Sequence, residues 1–327
     1  MLNIIDLLNL LEHQNFRSGE DLANQLNVTR ATVHNCISRI ESLGIKIERT
    51  HGLGYRLCQP IELLVESNII ENLTVEVKNK LETLVCLQEV DSTNRYAAEL
   101  ELPPTGKFSA VLAEMQTAGK GRRGRKWVSP FAANLYLSIV WPLQKPLHTA
   151  SVLSPCLAIS TAQLLNKLGV EHVGVKWPND IYCGEKKLSG ILIECSGELN
   201  GQSKMIVGIG LNVFMSRYQQ VKIEQAWTDI ESEVPDIKAT RNEIAALLIS
   251  DIVQILTLFE ENKIKNTSKE WQQWDVMKDK NVSVHSEGKM MRGIARGISE
   301  DGSLLLEVKP GEIETVLMGE VSLRPVP

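Results

Sequence analysis

Ser18-Gly19-Glu20-Asp21-Leu22-Ala23-Asn24-Gln25-Leu26-Asn27-Val28-Thr29-Arg30-Ala31-Thr32-Val33-His34-Asn35-Cys36-Ile37-Ser38-Arg39-Ile40-Glu41-Ser42-Leu43-Gly44 holds two helix starts and one helix stop. Ser18 is a good N-cap, and Asp21 three residues on gives a capping-box-like arrangement. Leu22, Ala23 and Leu26 form the apolar stripe of a short helix, and Asn27-Val28 makes a tight turn. Thr29 can cap a longer helix whose inward face is Val33, Ile37 and Ile40, and Gly44 closes it as a C-cap. Upstream, Ile4, Ile5, Leu7, Leu8 and Leu11 repeat at helical spacing. Downstream, Ile45, Ile47 and then Tyr55, Leu57 alternate as two strands joined by Arg49-Thr50-His51-Gly52-Leu53-Gly54.

Helix, short helix, turn, helix and a glycine-rich hairpin, in that order, are the pattern of a winged helix-turn-helix, which we place at residues 1–62. Its third helix would carry Thr29, Arg30, Thr32, His34 and Asn35 toward a major groove, with Arg39 nearer the phosphate backbone. Short polar side chains there read base edges, and arginines grip phosphate or guanine. The same order of elements also serves as a plain packing or dimerisation module. The first sixty residues hold six Lys/Arg and six Asp/Glu, so bulk charge does not favour DNA. The ordered sequence of signals does.

At 327 residues the chain is long enough for two domains, or three if one is small. Its 43% hydrophobic and 23% charged content is too apolar for disorder. The longest apolar stretches fall short of the roughly 20 residues a membrane span needs, so no membrane partner is expected. Met1 to Leu11 is amphipathic without a basic start, unlike a signal peptide. Six scattered cysteines with no Cys-x-x-Cys pair argue against a zinc ribbon or a disulfide framework and suit a reducing cytoplasm. The net charge of −5 means that any nucleic-acid contact is a local patch.

From about Leu81 the signals change. Phe108 to Met115, Asn134 to Trp141, Val173 to Trp177, Leu188 to Glu194 and Met205 to Val213 read as strands, with a helix over Ser151 to Leu168. This mixture predicts a layered α/β or α+β domain. There is no Walker A loop, no convincing dinucleotide fingerprint, no His-Glu-x-x-His and no nucleophile elbow. Gly119-Lys120-Gly121-Arg122-Arg123-Gly124-Arg125-Lys126-Trp127 stands out: five cations lie within the seven residues Lys120 to Lys126, among three glycines that let backbone amides face an anion. It reads as a phosphate-clamping loop, or as a solvated basic loop or nucleic-acid patch. Asp91-Ser92-Thr93-Asn94 follows a strand-like run and can cap a helix from about Arg95 to Leu100; a simple cap is the alternative. Glu114-Met115-Gln116 and Lys176-Trp177-Pro178-Asn179-Asp180 end strands, Lys186-Lys187-Leu188-Ser189-Gly190 starts one, and Gly208-Ile209-Gly210-Leu211-Asn212 lets a backbone approach closely. Polar residues collecting at strand ends usually surround a ligand crevice.

Together D-S-T-N, E-M-Q-T-A-G-K-G-R-R-G-R-K-W, K-W-P-N-D, K-K-L-S-G-I-L-I-E and G-I-G-L-N resemble the biotin–protein ligase family. With the winged helix in front, the whole chain resembles its bifunctional bacterial members, which are both biotin–[acetyl-CoA-carboxylase] ligase and biotin operon repressor. The resemblance implies an α+β chain: a winged helix-turn-helix, a central mixed-sheet ligase domain over 63–272 and a small SH3-like β-barrel over 273–327. It implies a cytoplasmic enzyme that joins biotin and ATP, with Mg2+, into biotinyl-5′-AMP. The biotinyl group then passes to one lysine of the biotin carboxyl carrier protein of acetyl-CoA carboxylase. The adenylate would also promote a homodimer that binds operator DNA. Alternatives are a ligase whose N-terminal module binds no operator, a regulator with an inactive ligase domain, and a lipoate-type acyl ligase.

By the same resemblance, Ser92, Thr93, Asn94 and Gln116 line the pocket for the ureido ring, and Lys120, Gly121 and Arg122 cover the ligand. Lys187 touches the biotinyl carboxylate and α-phosphate, and with Arg122 it carries the chemistry. Arg122, Arg125, Trp127, Asn179 and Asn212 fall to the nucleotide, and Asp180 to magnesium or, alternatively, to a turn cap. Lys120 departs from the family, which commonly has arginine there; charge survives but the planar fork does not. The exposed residues of the recognition helix are this chain's own, so no operator sequence carries over.

The C-terminal part holds a helix over Arg241 to Phe259 with a stripe of Ile244, Leu247, Leu248, Ile252 and Ile255. Trp271 and Trp274 read as core residues at a helix end. From Val282 the chain alternates through Val284, Gly293 to Ile298, Leu304 to Val308, Thr315 to Met318 and Val321 to Leu323. Asp301-Gly302 between two of these runs is a strong hairpin signal. Arg324 could reach the active site or stay a surface arginine.

Overall fold

The computed structural model describes residues 2–197, 203–218, 223–286, 289–317 and 321–325. It opens with α1 (Ile4–Leu8), α2 (Gly19–Gln25) and α3 (Arg30–Ser42). The hydroxyls of Ser18 and Thr29 accept from the Asp21 and Thr32 amides, capping α2 and α3. Gly44 ends α3 with φ +92°. A hairpin of β1 (Ile47–Thr50) and β2 (Gly54–Leu57) forms the wing. Gly54 is required there: its φ is +107°, and a Cβ would sit 2.1 Å from the Arg17 carbonyl oxygen. Leu7, Leu22, Val33, Ile37 and Ile40 are fully buried in this module. Its core is completed from far along the chain by Phe131 and Ala132.

The central region runs α4 (Glu66–Asn72), α5 (Val75–Lys80), β3 (Leu81–Leu87), α6 (Thr93–Glu99), β4 (Phe108–Ala113), β5 (Leu135–Leu143), α7 (Leu153–Lys167), β6 (Val173–Lys176), β7 (Asp180–Cys183), β8 (Lys186–Ser196), β9 (Ser203–Leu211), α8 (Ile230–Glu233), α9 (Arg241–Glu260) and α10 (Thr267–Trp274). The strands form one mixed sheet in the order β3-β4-β5-β9-β8-β7-β6, parallel only between β3 and β4. Alternation along β5 sends Leu135, Leu137, Ile139 and Trp141 into the large core with α7 and α9. Val140 joins Val111, Ile206 and Ala97 of α6 in a smaller cluster on the other side of the sheet. Among the described residues α9 is the one helix long and apolar enough to cross a membrane, with mean hydropathy 1.6, yet it packs on α7 and α4 and most of it is buried. Asp251 interrupts it, its carboxyl pushed above the usual range by burial.

The chain ends in β10 (Asn281–Ser286), β11 (Lys289–Ile298), β12 (Leu304–Lys309), β13 (Glu312–Val316) and β14 (Val321–Pro325), an antiparallel sheet ordered β13-β12-β11-β10-β14. The expected SH3-like barrel is thus seen as a five-stranded antiparallel sheet with β13 and β14 at its ends. Its buried Val282, Val284, Ala295, Leu304 and Leu306 share one continuous core with the central helices. Gly302, φ +87°, turns the hairpin expected at Asp301-Gly302.

Three expectations change. The helix expected from Arg95 starts at Thr93, with Ser92 at its N-cap position but making no side-chain cap bond, and Thr93 and Asn94 are buried with their side chains bonded to Gln116 and Ser138. Asp180 opens a strand, β7, that the sequence did not suggest; four residues between a turn and a turn carry too little pattern. Leu247 points outward, 39% exposed, because α9 buries a face on α4 and α7 that leaves it aside. Met318 lies outside the described residues, as does the side chain of Arg324, whose backbone pairs with Ser283.

Candidate active site

Two cross-strand rows open the sheet on its α6 side. Gly190 of β8, Gly210 of β9 and Tyr136 of β5 are paired in register, and so are Leu192, Gly208 and Ser138. The glycines leave a floor without side chains, and neighbours use the room. A Cβ on Gly210 would lie 2.3 Å from the Trp127 indole, and one on Gly208 2.3 Å from Asn94 Oδ1. Above this floor is a cavity of about 610 Å³. Ser92, Thr93, Asn94, Gln116, Lys120, Gly121, Arg122, Arg125, Trp127, Asn179, Asp180, Lys187 and Asn212 all line it. The structure therefore brings together every residue that the sequence reading assigned to a small molecule or a metal.

One end is neutral and rich in hydrogen bonds. Gln116 Oε1 accepts from the Thr93 amide at 2.9 Å and lies 3.2 Å from its hydroxyl, while Gln116 Nε2 donates to Ser129 Oγ at 3.0 Å. Ser138 Oγ lies 2.8 Å from Thr93 Oγ1 and 2.6 Å from Asn94 Oδ1. Asn94 Nδ2 donates to Glu194 at 2.6 Å. Ser92 N donates to Asp91 Oδ1, and Arg95 pairs with the same carboxylate.

The other end is cationic. Lys187 Nζ pairs with Asp180 Oδ1 at 2.6 Å, with side chains only 18% and 22% exposed, and lies 5.4 Å from the Trp127 ring centre. The basic loop folds on itself as a lid: Gly121 N donates to Arg125 O, and Trp127 N to Gly119 O. Arg123 adopts φ +59° and Gly124 φ +69° at its tip. Arg122 reaches down to Asn179 Oδ1 at 3.3 Å. Burial pulls the Arg122 guanidinium below its ordinary value, and the Asp180 charge opposes this. Trp127 Nε1 is buried with no hydrogen-bond partner.

Asn179 and Asn212 line the cavity with their amides already engaged. Asn179 Nδ2 donates to the Ile191 carbonyl. Asn212 Nδ2 donates to the Thr228 carbonyl at 3.0 Å, and its Oδ1 faces Asn134 Nδ2 at 3.4 Å. Their side chains hold strand ends in place. Sequence reasoning missed Ser138, Glu194, Tyr182 and the segment 223–227, in which Gln225 and Trp227 line the cavity and Lys187 N donates to the Ala226 carbonyl. The lone serine within apolar Leu135 to Val140 was a usable signal; segment 223–227 carries none.

Asn134 also leads away from the cavity. Its carbonyl accepts from Arg241 Nη2 at 2.8 Å, and Arg241, fully buried, pairs with Glu114 at 2.9 Å. Glu62, at the junction of the first module and the rest, accepts from Arg241 and Asn242. On the first module, Thr29, Arg30, His34, Asn35 and Arg39 are exposed on α3, and Thr32 is half-buried. Thr29 and Thr32 hydroxyls bond each other at 2.9 Å, His34 Nδ1 lies 3.3 Å from Tyr55 OH of the wing, and Arg39 donates to the Leu2 carbonyl at 3.2 Å.

Three family profiles match in chain order: an HTH domain at residues 3–56, the Biotin/lipoate A/B protein ligase family at 86–212 and the Biotin protein ligase C terminal domain at 279–324. The bifunctional ligase/repressor BirA of Escherichia coli K12 is 36% identical over 98% of this chain and 97% of its own. The biotin–[acetyl-CoA-carboxylase] ligase of Mycobacterium tuberculosis is 30% identical over 64% of this chain and 77% of its own. Among solved structures, the Aquifex aeolicus biotin protein ligase in complex with biotin and ATP is 30% identical, covers 75% of this chain and 100% of its own, and superposes with a TM-score of 0.63. The helix-turn-helix, ligase and C-terminal profiles thus follow one another along this chain, which matches the Escherichia coli ligase/repressor over nearly the whole length of both, and the chain belongs to the biotin protein ligase family as one of its bifunctional ligase/repressor members.

Proposed function

We propose that the chain condenses biotin with ATP to biotinyl-5′-AMP, releases pyrophosphate, and transfers the biotinyl group to one lysine of a biotin carboxyl carrier protein. The observation that carries this reading is the two-ended cavity, with a neutral hydrogen-bonding end at Thr93 and Gln116 and a cationic end at Lys187 and Arg122 under one glycine-hinged lid. The reacting groups, a carboxylate and an α-phosphate, are both anions. Their repulsion at about 4 Å is on the order of 4 kcal/mol at an effective dielectric near 20. Lys187 sits where it can leave Asp180 for those oxygens, and it stabilises charge that grows on phosphorus. Lys120, Gly121 and Arg122 close the lid, and Arg122 limits escape of the adenylate. Exclusion of water matters because a mixed anhydride hydrolyses readily.

Ser92, Thr93, Asn94 and Gln116 hold the ureido ring. Trp127, with its unpartnered indole N–H, and Arg125 face the nucleotide, while Asn179 and Asn212 keep the strand ends that frame it. Among the described residues no group of three His, Cys, Asp or Glu is placed to hold a metal. Asp180 is the carboxylate that would hold a magnesium ion brought in with ATP. The ion would neutralise phosphate charge.

Three units carry the two activities: a DNA-binding module over residues 1–62, a ligase domain over 63–272 and a C-terminal sheet over 273–327. The polar knot at Glu62 supports the first limit, and the second falls in the last turn of α10, which ends at Trp274. The adenylate-bound, cytoplasmic homodimer binds operator DNA through Thr29, Arg30, Thr32, His34, Asn35 and Arg39. Mass spectrometry of an acceptor domain mixed with the chain, MgATP and biotin or lipoate tests the enzyme: one biotinyl group on one lysine is expected. No transfer, or transfer of lipoate alone, overturns it. Sedimentation and gel-shift on the chain's own biotin-gene promoters, with and without biotinyl-AMP, test the repressor; a ligand that leaves both unchanged refutes it.

A further inference from the structure

Glu194 lies at the outer part of β8, exposed to solvent and outside the cavity lining, yet its carboxylate ends a chain of four polar side chains that begins in the cavity. The links are Glu194 Oε2 to Asn94 Nδ2 at 2.6 Å, Asn94 Oδ1 to Ser138 Oγ at 2.6 Å, Ser138 Oγ to Thr93 Oγ1 at 2.8 Å, and Thr93 Oγ1 to Gln116 Oε1 at 3.2 Å. All of the side chains between Glu194 and Gln116 are buried.

The direction of such a chain follows from counting protons. A carboxylate is acceptor-only, so it holds the Asn94 amide with Nδ2 outward; the flipped amide would set two oxygens 2.6 Å apart. Asn94 Oδ1 then faces inward and must receive the Ser138 proton. Ser138 has one proton, so it has none left for Thr93. The Thr93 proton in turn goes inward, to Ser138 or to Gln116, both acceptors. In either arrangement Thr93 Oγ1 offers the cavity lone pairs only.

We infer that Glu194 is a positioning residue that fixes Thr93 as an obligate acceptor, so that the neutral end of the cavity selects a ring presenting an N–H donor there, as a cyclic urea does. This deepens the proposed function and rests on it. Without the carboxylate, the Asn94 amide is free to flip and donate to Ser138, Ser138 to donate to Thr93, and Thr93 to turn its own proton toward the ligand, where it opposes an N–H.

The test is biotin-dependent ATP–pyrophosphate exchange by the full chain with Glu194→Gln, Glu194→Ala and Glu194→Lys. A bond of this charged kind is worth enough to raise the biotin KM roughly tenfold in Glu194→Ala. Glu194→Lys, which supplies donors and favours the flipped amide, should raise it further. Glu194→Gln keeps an oxygen for Nδ2 and should stay near wild type. The ATP KM, kcat and melting temperature should hold in all three, a split that general destabilisation would not give. In a Ser138→Ala background, where the relay is cut, Glu194→Ala should add nothing. Absence of biotin-dependent exchange by the wild type defeats the proposed function. Wild-type exchange with an unchanged biotin KM in Glu194→Ala and Glu194→Lys, or equal and additive losses in the Ser138→Ala background, overturns this inference alone.

Discussion

Arg241 has no exposed surface, and its charge is met by the Glu114 carboxylate at 2.9 Å, the Asn134 carbonyl at 2.8 Å and the Glu62 carbonyl at 2.5 Å. A buried pair of this kind is weak evidence for stability as a whole, but removing one partner strands the other. Arg241→Ala is therefore expected to cost about 3–5 kcal/mol, since Glu114 would be left buried and charged. Urea unfolding followed by circular dichroism checks this, and a loss below about 1 kcal/mol, the scale of an exposed pair, would show that Arg241 does not hold the knot. Lys187 is the contrasting case. Its pair with Asp180 keeps partial access to water, so Lys187→Ala should leave the melting temperature within a few degrees of wild type. Adenylate formation should fall roughly 10²–10³-fold, as for loss of one preorganised charge-stabilising group. Undiminished pyrophosphate exchange would remove Lys187 from the chemistry.

At the scale of elements, the lid and the floor were built for each other: Trp127 at the end of the basic loop rests on Gly210 in β9. In Gly210→Ala the new Cβ would fall 2.3 Å from the indole, and the backbone of a central strand cannot move away. Overpacking of this kind costs about 1–3 kcal/mol, here borne by the closed lid, so release of bound biotinyl-AMP should quicken by roughly 5- to 150-fold. Stopped-flow dissociation measures it, with an unchanged rate counting against the seat. The sequence displayed much of this arrangement. Caps at Ser18 and Thr29, the glycines of Gly208 to Asn212 and the cluster of cations in the loop are local signals with local causes. Ser138 and Glu194 were harder, because their role arises only when β5, β8 and β9 come into register across some seventy residues of chain. Gln225 and Trp227 were beyond reach, since the segment that brings them to Lys187 has neither periodicity nor motif.

At the scale of the whole molecule, three residues separate the lid from the DNA-binding module: after Trp127 come Val128, Ser129 and Pro130, and then Phe131 enters the core with Leu22, Ile37 and Leu57. The Phe131 carbonyl accepts from Tyr218 OH, and Tyr218 itself packs under Gly44 at the end of α3. Arg217 adds an ion pair to Glu231 and a bond to the Pro60 carbonyl at 2.8 Å. A module of about sixty residues has a stability of only some 3–9 kcal/mol at 0.05–0.15 kcal/mol per residue. Emptying the Phe131 site costs about 3–5 kcal/mol, a large share of it. Phe131→Ala should therefore split the thermal transition seen by calorimetry. A new low-temperature step should report the first module alone, and operator binding should be lost above it. Phe131→Leu, which refills most of the volume, should restore a single step. Biotin-dependent pyrophosphate exchange should persist between the two steps, because α7, α9 and the mixed sheet keep their own core. A single transition in Phe131→Ala, shifted down as a whole with both activities lost together, would instead mean that the two modules unfold as one unit and that Phe131 is only a part of a common core.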